Sequence, residues 1–264
     1  MGISLPLGGR IGVLELFGPI MGARKLAGYV NSLDGLKKNR RIKSAIINID
    51  STGGLATASD YLYNAVYKLS AKKPVVAFIS GTGASGAYLV SCAATKIVAL
   101  PTAVIGSIGV LSVRPILQDL LQRVGVHVTV TKSGHLKDMG APYRDPTEEE
   151  KKKEKELIDS FHSYFIKAVA RGRHIDEGIV KELATGEIFL GEKAKTLGLV
   201  DEVGDFDTAL DLAAQLGKVA RRVTHVRPRP TLMERLLSSF ASSVAEETLA
   251  EVEYLLSRQI YYLG

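Results

Sequence analysis

The sequence predicts an α/β fold with a mostly parallel sheet and helices on its faces. Two patterns carry that expectation. Strand-like apolar runs alternate with segments of helical spacing, and two of the runs end in glycine-rich turns. The length of 264 residues lies within the range of a single α/β domain.

Taken in order, Ile11–Phe17 reads as a strand stopped by Gly18-Pro19, and Ala23–Lys38 has helical spacing. Ile42–Ile49 reads as a buried strand closed by Asp50-Ser51-Thr52-Gly53-Gly54. Ala56–Leu69 is helical, with Leu62, Val66 and Leu69 on one face. Pro74–Ile79 is the next strand, and Gly81–Gly86 is a glycine-rich turn that opens a helix of small residues. Lys96–Leu100 is a further short strand. Beyond Pro101 the pattern gives a helix at Pro115–Val124 and a strand at His127–Thr131. After Pro146, Thr147 and Glu150 form a capping box that starts a helix running to about Arg173. Residues 175–217 read as shorter helices around the strand-like Leu199–Val203. From Thr231 a long helix carries Leu232, Leu236, Phe240, Val244 and Leu255 at roughly helical spacing. The simplest partition is a domain over 1–230 and a C-terminal helical arm over 231–264.

Composition narrows the function. The chain is 46% hydrophobic and 23% charged, as globular proteins are. A lone cysteine, Cys92, excludes an internal disulfide framework. Lys+Arg 34 against Asp+Glu 28 gives a net charge of +6, but aromatics are 6% and tryptophan is absent. With no base-stacking platform, nucleic acid is not an expected partner. Attraction to an anionic membrane surface fits the charge. No run reaches the ~18 apolar residues of a membrane span, and Met1–Gly9 lacks the form of a signal peptide.

The chemistry centres on the two glycine turns. In an open α/β sheet the strand C-termini line the ligand crevice, so Gly53-Gly54 and Gly83-Ala84-Ser85-Gly86 are expected near one another. A serine at a helix start sits among free N–H groups that favour a developing negative charge, and the adjoining glycine lets a substrate approach. Ser85 is therefore a candidate nucleophile. The N–H of Gly86 and one from Gly53-Gly54 are candidate oxyanion donors. Serine is also a common helix N-cap, which is the plainer reading. The segment is not a lipase elbow, because Ala87 stands where the last glycine would be.

A serine nucleophile needs a base. None of His127, His135, His162, His174 and His225 lies in a recognisable triad motif. A lysine serves only when neutral, and an ordinary lysine, with a pKa of ~10.4, is almost entirely protonated at pH 7. Burial must lower that value, which excludes most of the charge-laced Lys151–Lys155. Two candidates remain. Strand parity places Lys132 on the face of Val128 and Val130, whereas Lys137 lies in the following loop beside Asp138. Periodicity leaves both open.

The motifs together resemble the signal peptide peptidase A family (peptidase family S49). The resemblance rests on Asp50-Ser51-Thr52-Gly53-Gly54, Ser85-Gly86-Ala87-Tyr88, Gly106-Ser107-Ile108-Gly109-Val110, Ser133-Gly134-His135-Leu136-Lys137-Asp138 and Thr147-Glu148-Glu149-Glu150. Gly191-Glu192-Lys193-Ala194 and Gly198-Leu199-Val200-Asp201 complete it, from about Arg10 to Leu216. It implies a crotonase/Clp-like fold of repeated ββα units and a Ser-Lys serine endopeptidase acting on remnant signal peptides and other apolar flexible peptides. Carried over, Ser85 is the nucleophile, Lys137 the general base, Ser107 the residue that orients the lysine, and Gly54 and Gly86 the oxyanion donors. It further implies no cofactor or metal, a homo-oligomeric ring with active sites shared between protomers, and membrane association. The catalytic domain is expected outside the cytoplasm, with the anchor absent from this chain. Two departures stand out. Ala87 replaces a second glycine and is expected to narrow the pocket, and Thr52 replaces a proline and is expected to leave the glycine turn less rigid. The alternatives are a crotonase-fold acyl-CoA enzyme, for which no convincing CoA loop or acidic catalytic residue is found, and a non-catalytic membrane-associated assembly protein.

Overall fold

The computed structural model describes residues 8–228, so the expected helical arm over 231–264 lies outside the described residues. The first half follows the predicted order. Strand β1 (Arg10–Phe17), helix α1 (Ala23–Lys38), strand β2 (Ile42–Ser51), helix α2 (Ala56–Ser70) and strand β3 (Val75–Ala84) alternate. Helix α3 (Gly86–Ser91), β4 (Lys96–Ala99) and β5 (Val104–Gly106) come next. The second half holds α4 (Gln118–Arg123), α5 (Glu148–Arg173), α6 (Glu177–Leu183), β6 (Ile188–Leu190), α7 (Gly191–Thr196), β7 (Glu202–Val203), α8 (Phe206–Gly217) and β8 (Val223–Val226).

The strands form one sheet in the order β6-β5-β3-β2-β1-β8, parallel except for the antiparallel pair β5–β6. Its two faces are both covered, and strand parity decides which residue goes where. Ile11, Val13, Ile46, Val76, Phe78 and Val98 pack against Ala209, Leu210 and Ala213 of α8. Their neighbours in sequence, including Leu14, Leu16, Ile47, Ile49, Ala77, Ile79 and Ile97, point to the opposite core with Leu33, Leu62, Val66, Leu89 and Val169 from α1, α2, α3 and α5. Leu62, Val66 and Leu69 are buried on one face of α2, as their spacing predicts.

Strand β3 is where the sheet divides. Val76–Ile79 pair with β4, while Thr82–Ala84 pair with β5. Opposite this division the register between β2 and β3 slips at Asp50. The Asp50 carboxylate turns over Gly81, where a Cβ would come within 2.4 Å of Oδ1, and accepts from the Thr82 N–H at 2.8 Å. Gly81–Ala84 thus form strand rather than the predicted turn, because Asp50 supplies the missing local partner.

Other expectations need correction. The helix predicted at Pro115–Val124 shrinks to α4, and the strand predicted at His127–Thr131 does not form. Val126, Val128 and Val130 alternate as strand residues do, but they stay exposed with no strand beside them. An extended segment without a partner ladder is not a strand. The expected strand over Leu199–Val203 is only Glu202–Val203, and the short β5 and β6 and the edge strand β8 were not anticipated.

The long connection from Ser107 to Thr147 is held to α5 by charge. Arg114 bonds both Glu154 oxygens, at 3.0 and 2.9 Å. Arg144 joins Asp138, at 2.9 Å, to the buried Glu150. Lys132 adds a contact to Asp138 at 2.6 Å. The capping box forms as predicted: Glu150 N–H donates to Thr147 Oγ1, and Thr147 N–H to Glu150 Oε2 at 2.8 Å. Hydrogen bonding from Arg144 and then the Thr147 N–H lowers the Glu150 carboxyl to about 2. Arg144 and then Lys132 hold Asp138 well below the usual carboxylate range.

Two stability predictions follow from this packing. A Cβ on Gly172 of α5 would sit 2.0 Å from the Cys92 carbonyl oxygen. Alanine favours a helix by about 1 kcal/mol over glycine, but overpacking against fixed backbone costs about 1–3 kcal/mol. Gly172→Ala should therefore lose about 1–2 kcal/mol on urea titration; a gain would contradict the close crossing of α5 and α3. For Glu150 the folded carboxyl is depressed, so its contribution is complete above the ordinary value of 4.5 and fades as pH falls towards about 2. Thermal midpoints of wild type and Glu150→Gln should differ at neutral pH and converge near that lower limit.

Candidate active site

Ala84 of β3 lies in register with Gly106 of β5. The residues that follow, Ser85 and Ser107, therefore emerge side by side at two parallel strand ends. Both hold left-handed backbone, with φ of 52° and 50°. Such a conformation costs on the order of 1–3 kcal/mol for a side chain other than glycine, so the surroundings must impose it. They do so through hydrogen bonds. The Ser85 N–H donates to Gly106 O at 2.8 Å, its carbonyl accepts from Leu89 N–H at 3.0 Å, and the Ser107 N–H donates to Glu187 O at 2.7 Å. Ser85 occupies the N-cap of α3, yet its side chain makes no capping bond. The plainer sequence reading, a serine that serves as a cap, is thereby excluded. Its hydroxyl is left for other work, beside first-turn N–H groups that a helix leaves unpaired.

The Gly53-Gly54 turn comes against this elbow. Gly53 has φ 91°, and a Cβ there would lie 2.6 Å from Gly86 N and 3.0 Å from Ser85 Cβ. Ile20 fastens the turn: its N–H donates to Gly53 O at 2.8 Å, and its carbonyl accepts from Leu55 N–H at 3.0 Å. Both bonds of this bridge bypass the Gly54 N–H, which has no acceptor among the described residues. Gly54 N lies 3.5 Å from the point where a Gly86 side chain would begin. The two glycines predicted as oxyanion donors thus lie against one another at the elbow.

These residues open into a cleft of about 920 Å³. Leu55, Leu89, Val110, Leu111, Phe161 and Phe165 give it an apolar lining, with Ser107 beside Ser85. Its one charged residue among those described, unread in the sequence, is Asp60, which accepts from Asn64 Nδ2 at 3.0 Å and from the Tyr164 hydroxyl. Burial, and then the Asp60 carboxylate, push the Tyr164 phenol up to about 12. Asp60 and Tyr164 stand 104 residues apart, on α2 and α5, so no local pattern marks them as a pair.

No lysine, arginine or histidine lines the cleft among the described residues. Lys137 lies on an exposed turn, its N–H donating to Gly134 O at 3.1 Å. Lys132, the other candidate, is tied to His135 O at 2.8 Å and to the Asp138 carboxylate. The parity that favoured it has no basis, because its strand is absent. Within one chain, then, Ser85, Ser107, Gly54 and Gly86 gather, and Lys137 does not join them. Among the histidines, His135 pairs with Glu149 at 3.2 Å and none borders Ser85.

The two departures from the family pattern have little effect on the cleft. The Ala87 methyl is fully buried in the core and is not part of the lining, so it does not narrow the pocket. Thr52 is exposed, while Gly53 N–H donates to Ser51 Oγ at 3.2 Å. That bond and the Ile20 bridge restrain the turn that proline would otherwise stiffen.

Known proteins bear on this arrangement. The chain is 41% identical over 192 residues to the protein MJ0651 of Methanocaldococcus jannaschii, covering 73% of this chain and 62% of that one. It is 30% identical over 245 residues to Protease 4 of Salmonella typhi, covering 90% and 40%. It is 32% identical to the chloroplastic serine protease SPPA of Arabidopsis thaliana, over 81% and 32%. The chain thus spans less than two thirds of the length of these relatives. Among solved structures it is similar to the membrane-bound stomatin-specific protease 1510-N. A serine-to-alanine mutant superposes with a TM-score of 0.54 at 17% identity, covering 84% of this chain and 99% of that one. A lysine-to-alanine mutant in complex with a substrate peptide gives 0.55 at 17%, covering 89% and 99%. That likeness shows the expected crotonase/Clp-like fold. The profile of peptidase family S49 matches residues 67–220, well over half of the sequence and inclusive of Ser85, Ser107 and Lys137. The chain belongs to peptidase family S49.

Proposed function

We propose that this protein is a serine endopeptidase in which Ser85 attacks the peptide carbonyl and a lysine serves as base. The observation that carries the reading is the Ser85 elbow itself. A serine held at positive φ, with no capping bond, lies beside Gly54 and Gly86 in an apolar cleft.

In this scheme a neutral lysine takes the Ser85 proton as Oγ bonds to the carbonyl carbon. The Gly54 and Gly86 N–H groups hold the resulting oxyanion, where one such donor is worth about 3–4 kcal/mol. The lysinium then protonates the leaving amine, and water hydrolyses the acyl-enzyme. Lys137 is the proposed base and Ser107 the hydroxyl that orients it. Because the cleft of one chain holds no cation among the described residues, we assign Lys137 to the cleft of a neighbouring copy in a closed ring. The exposed Leu111, Val113, Ile116, Leu120 and Val124, on the connection that carries the lysine turn, support such an interface.

The apolar lining favours extended, apolar peptides, among which remnant signal peptides are the proposed substrates. Membrane association and an extracytoplasmic catalytic domain complete the proposal. The net charge of +6 and the membrane-bound relative 1510-N support a site of action at a membrane surface. No helix among the described residues is long and apolar enough to cross a membrane.

A fluorophosphonate probe should label wild type at Ser85, and Ser85→Ala should lose both label and cleavage of an apolar peptide by at least about 10³-fold. Labelling that persists in Ser85→Ala would reject the nucleophile. Mixing Ser85→Ala with Lys137→Ala under subunit exchange should restore part of the activity, since some interfaces regain both groups. Only neutral lysine accepts a proton, so the rate should climb with pH; a rate flat from about pH 5 upward would reject a lysine base.

A further inference from the structure

Ser59 sits one turn into α2, 1% exposed, and its Oγ has no hydrogen-bond partner among the described residues. A buried hydroxyl without a partner costs stability and is uncommon. In a helix, serine has an easy local remedy, which is to bond back to the carbonyl four residues earlier. Three other serines of this chain do so. Ser32 bonds Gly28 O at 2.9 Å, Ser91 bonds Ala87 O at 2.9 Å, and Ser160 bonds Glu156 O at 2.7 Å. Ser59 alone of these four leaves its local carbonyl and turns towards α3.

Its hydroxyl ends beside the elbow. A Cβ on Gly86 would lie 2.1 Å from Ser59 Oγ and 3.5 Å from Gly54 N. Ser59 Oγ thus packs directly against Gly86, on the side where Gly54 N also lies. Ser59 also lines the cleft that holds Ser85. A hydroxyl donates as well as accepts, and the group that forms at this elbow during acyl transfer is an oxyanion in need of donors. We propose that Ser59 is a third donor to the oxyanion, with the N–H groups of Gly54 and Gly86. The proposal rests on the reading of Ser85 as nucleophile. It accounts for the orphaned hydroxyl: its partner is present only while the carbonyl oxygen carries charge. Such a donor strengthens its contact in the transition state and contributes little to substrate binding.

The test uses the full chain, an apolar fluorogenic peptide, a peptide aldehyde and the matching peptide with a reduced, oxygen-free scissile bond. Ser59→Ala should lower kcat by roughly 10²-fold with KM within about twofold. Aldehyde affinity should fall with kcat, whereas the reduced peptide should bind as before. The thermal midpoint should hold or rise, because an unpaired hydroxyl has been removed. Ser59→Cys, similar in size but a weaker donor, should lie between alanine and wild type. Unchanged kcat and aldehyde affinity would overturn the proposal. So would parallel loss of aldehyde and reduced-peptide binding with a lowered midpoint, which marks a packing residue. Fluorophosphonate labelling separates the two readings. If wild type is labelled at Ser85 and Ser59→Ala is kinetically normal, only the third donor falls; if wild type takes no label there, both fall.

Discussion

The site depends on one contact, the approach of the Gly53-Gly54 turn to the junction of β3 and α3. No Cβ fits at Gly53, whose neighbours there are Gly86 N, Ala84 O and Ser85 Cβ, all within 3.0 Å. On the other side Ile20 backbone atoms lie within 2.9 Å of any Cβ on Gly54. The turn is pressed between β1's extension and the elbow, so its geometry follows from the sheet. β1, β2 and β3 are parallel neighbours with both faces buried, and their C-terminal ends converge at this point. The same sheet sets β3 level with β5, which brings the two left-handed serines together. Strain of a few kcal/mol at two residues is tolerable only on a scaffold this well determined.

The sequence made these strands legible where burial is continuous. β1 to β4 read as apolar runs because both sides face a core, and α2 declared its inner face through Leu62, Val66 and Leu69. The capping box at Thr147 and Glu150 was legible because its chemistry is local. Strands of two or three residues, such as β5 and β7, exist only through their neighbours and carry no period of their own. The reverse error occurred at His127–Thr131, where alternation was present and a neighbouring strand was not. In the site, Ser85, Gly54 and Gly86 were legible because glycine at a strand end has few uses. Periodicity could not choose between Lys132 and Lys137, because the strand that gave Lys132 its parity has no partner ladder and does not form.

On the proposed scheme, electrostatics give a reason to keep Ser85 and Lys137 on separate surfaces until a neighbour docks. The cleft offers apolar side chains and a single carboxylate, already engaged by Tyr164 and Asn64. A lysine becomes a base by losing water around its ammonium, and a wall of Leu and Phe side chains removes that water. The turn bearing Lys137 is instead exposed and fixed at its base by Arg144, Asp138 and Glu150. Those ion pairs hold the adjacent carboxylate so that Asp138 is committed to Arg144 and Lys132. On the proposed scheme, docking of a neighbour delivers the lysine and desolvates it in the same step. An isolated chain would then hold a well-formed oxyanion hole and little proteolytic activity.

The two departures from the family pattern show how such a site tolerates change. On the proposed scheme the atoms that matter are the N–H groups of Gly54 and Gly86, and neither substitution falls on those residues. Residue 87 begins the buried side of α3, where an added methyl meets the core and contributes to it. Residue 52 faces solvent, and the turn it precedes is restrained by backbone bonds to Ile20 and by the Ser51 hydroxyl. At Gly86 the tolerance ends, since a methyl there would collide with Ser59 Oγ at 2.1 Å. The space beside Gly86 is already filled by the Ser59 side chain, so only glycine fits at this position. That fit, rather than the number of glycines in the motif, is the constraint the elbow has to meet.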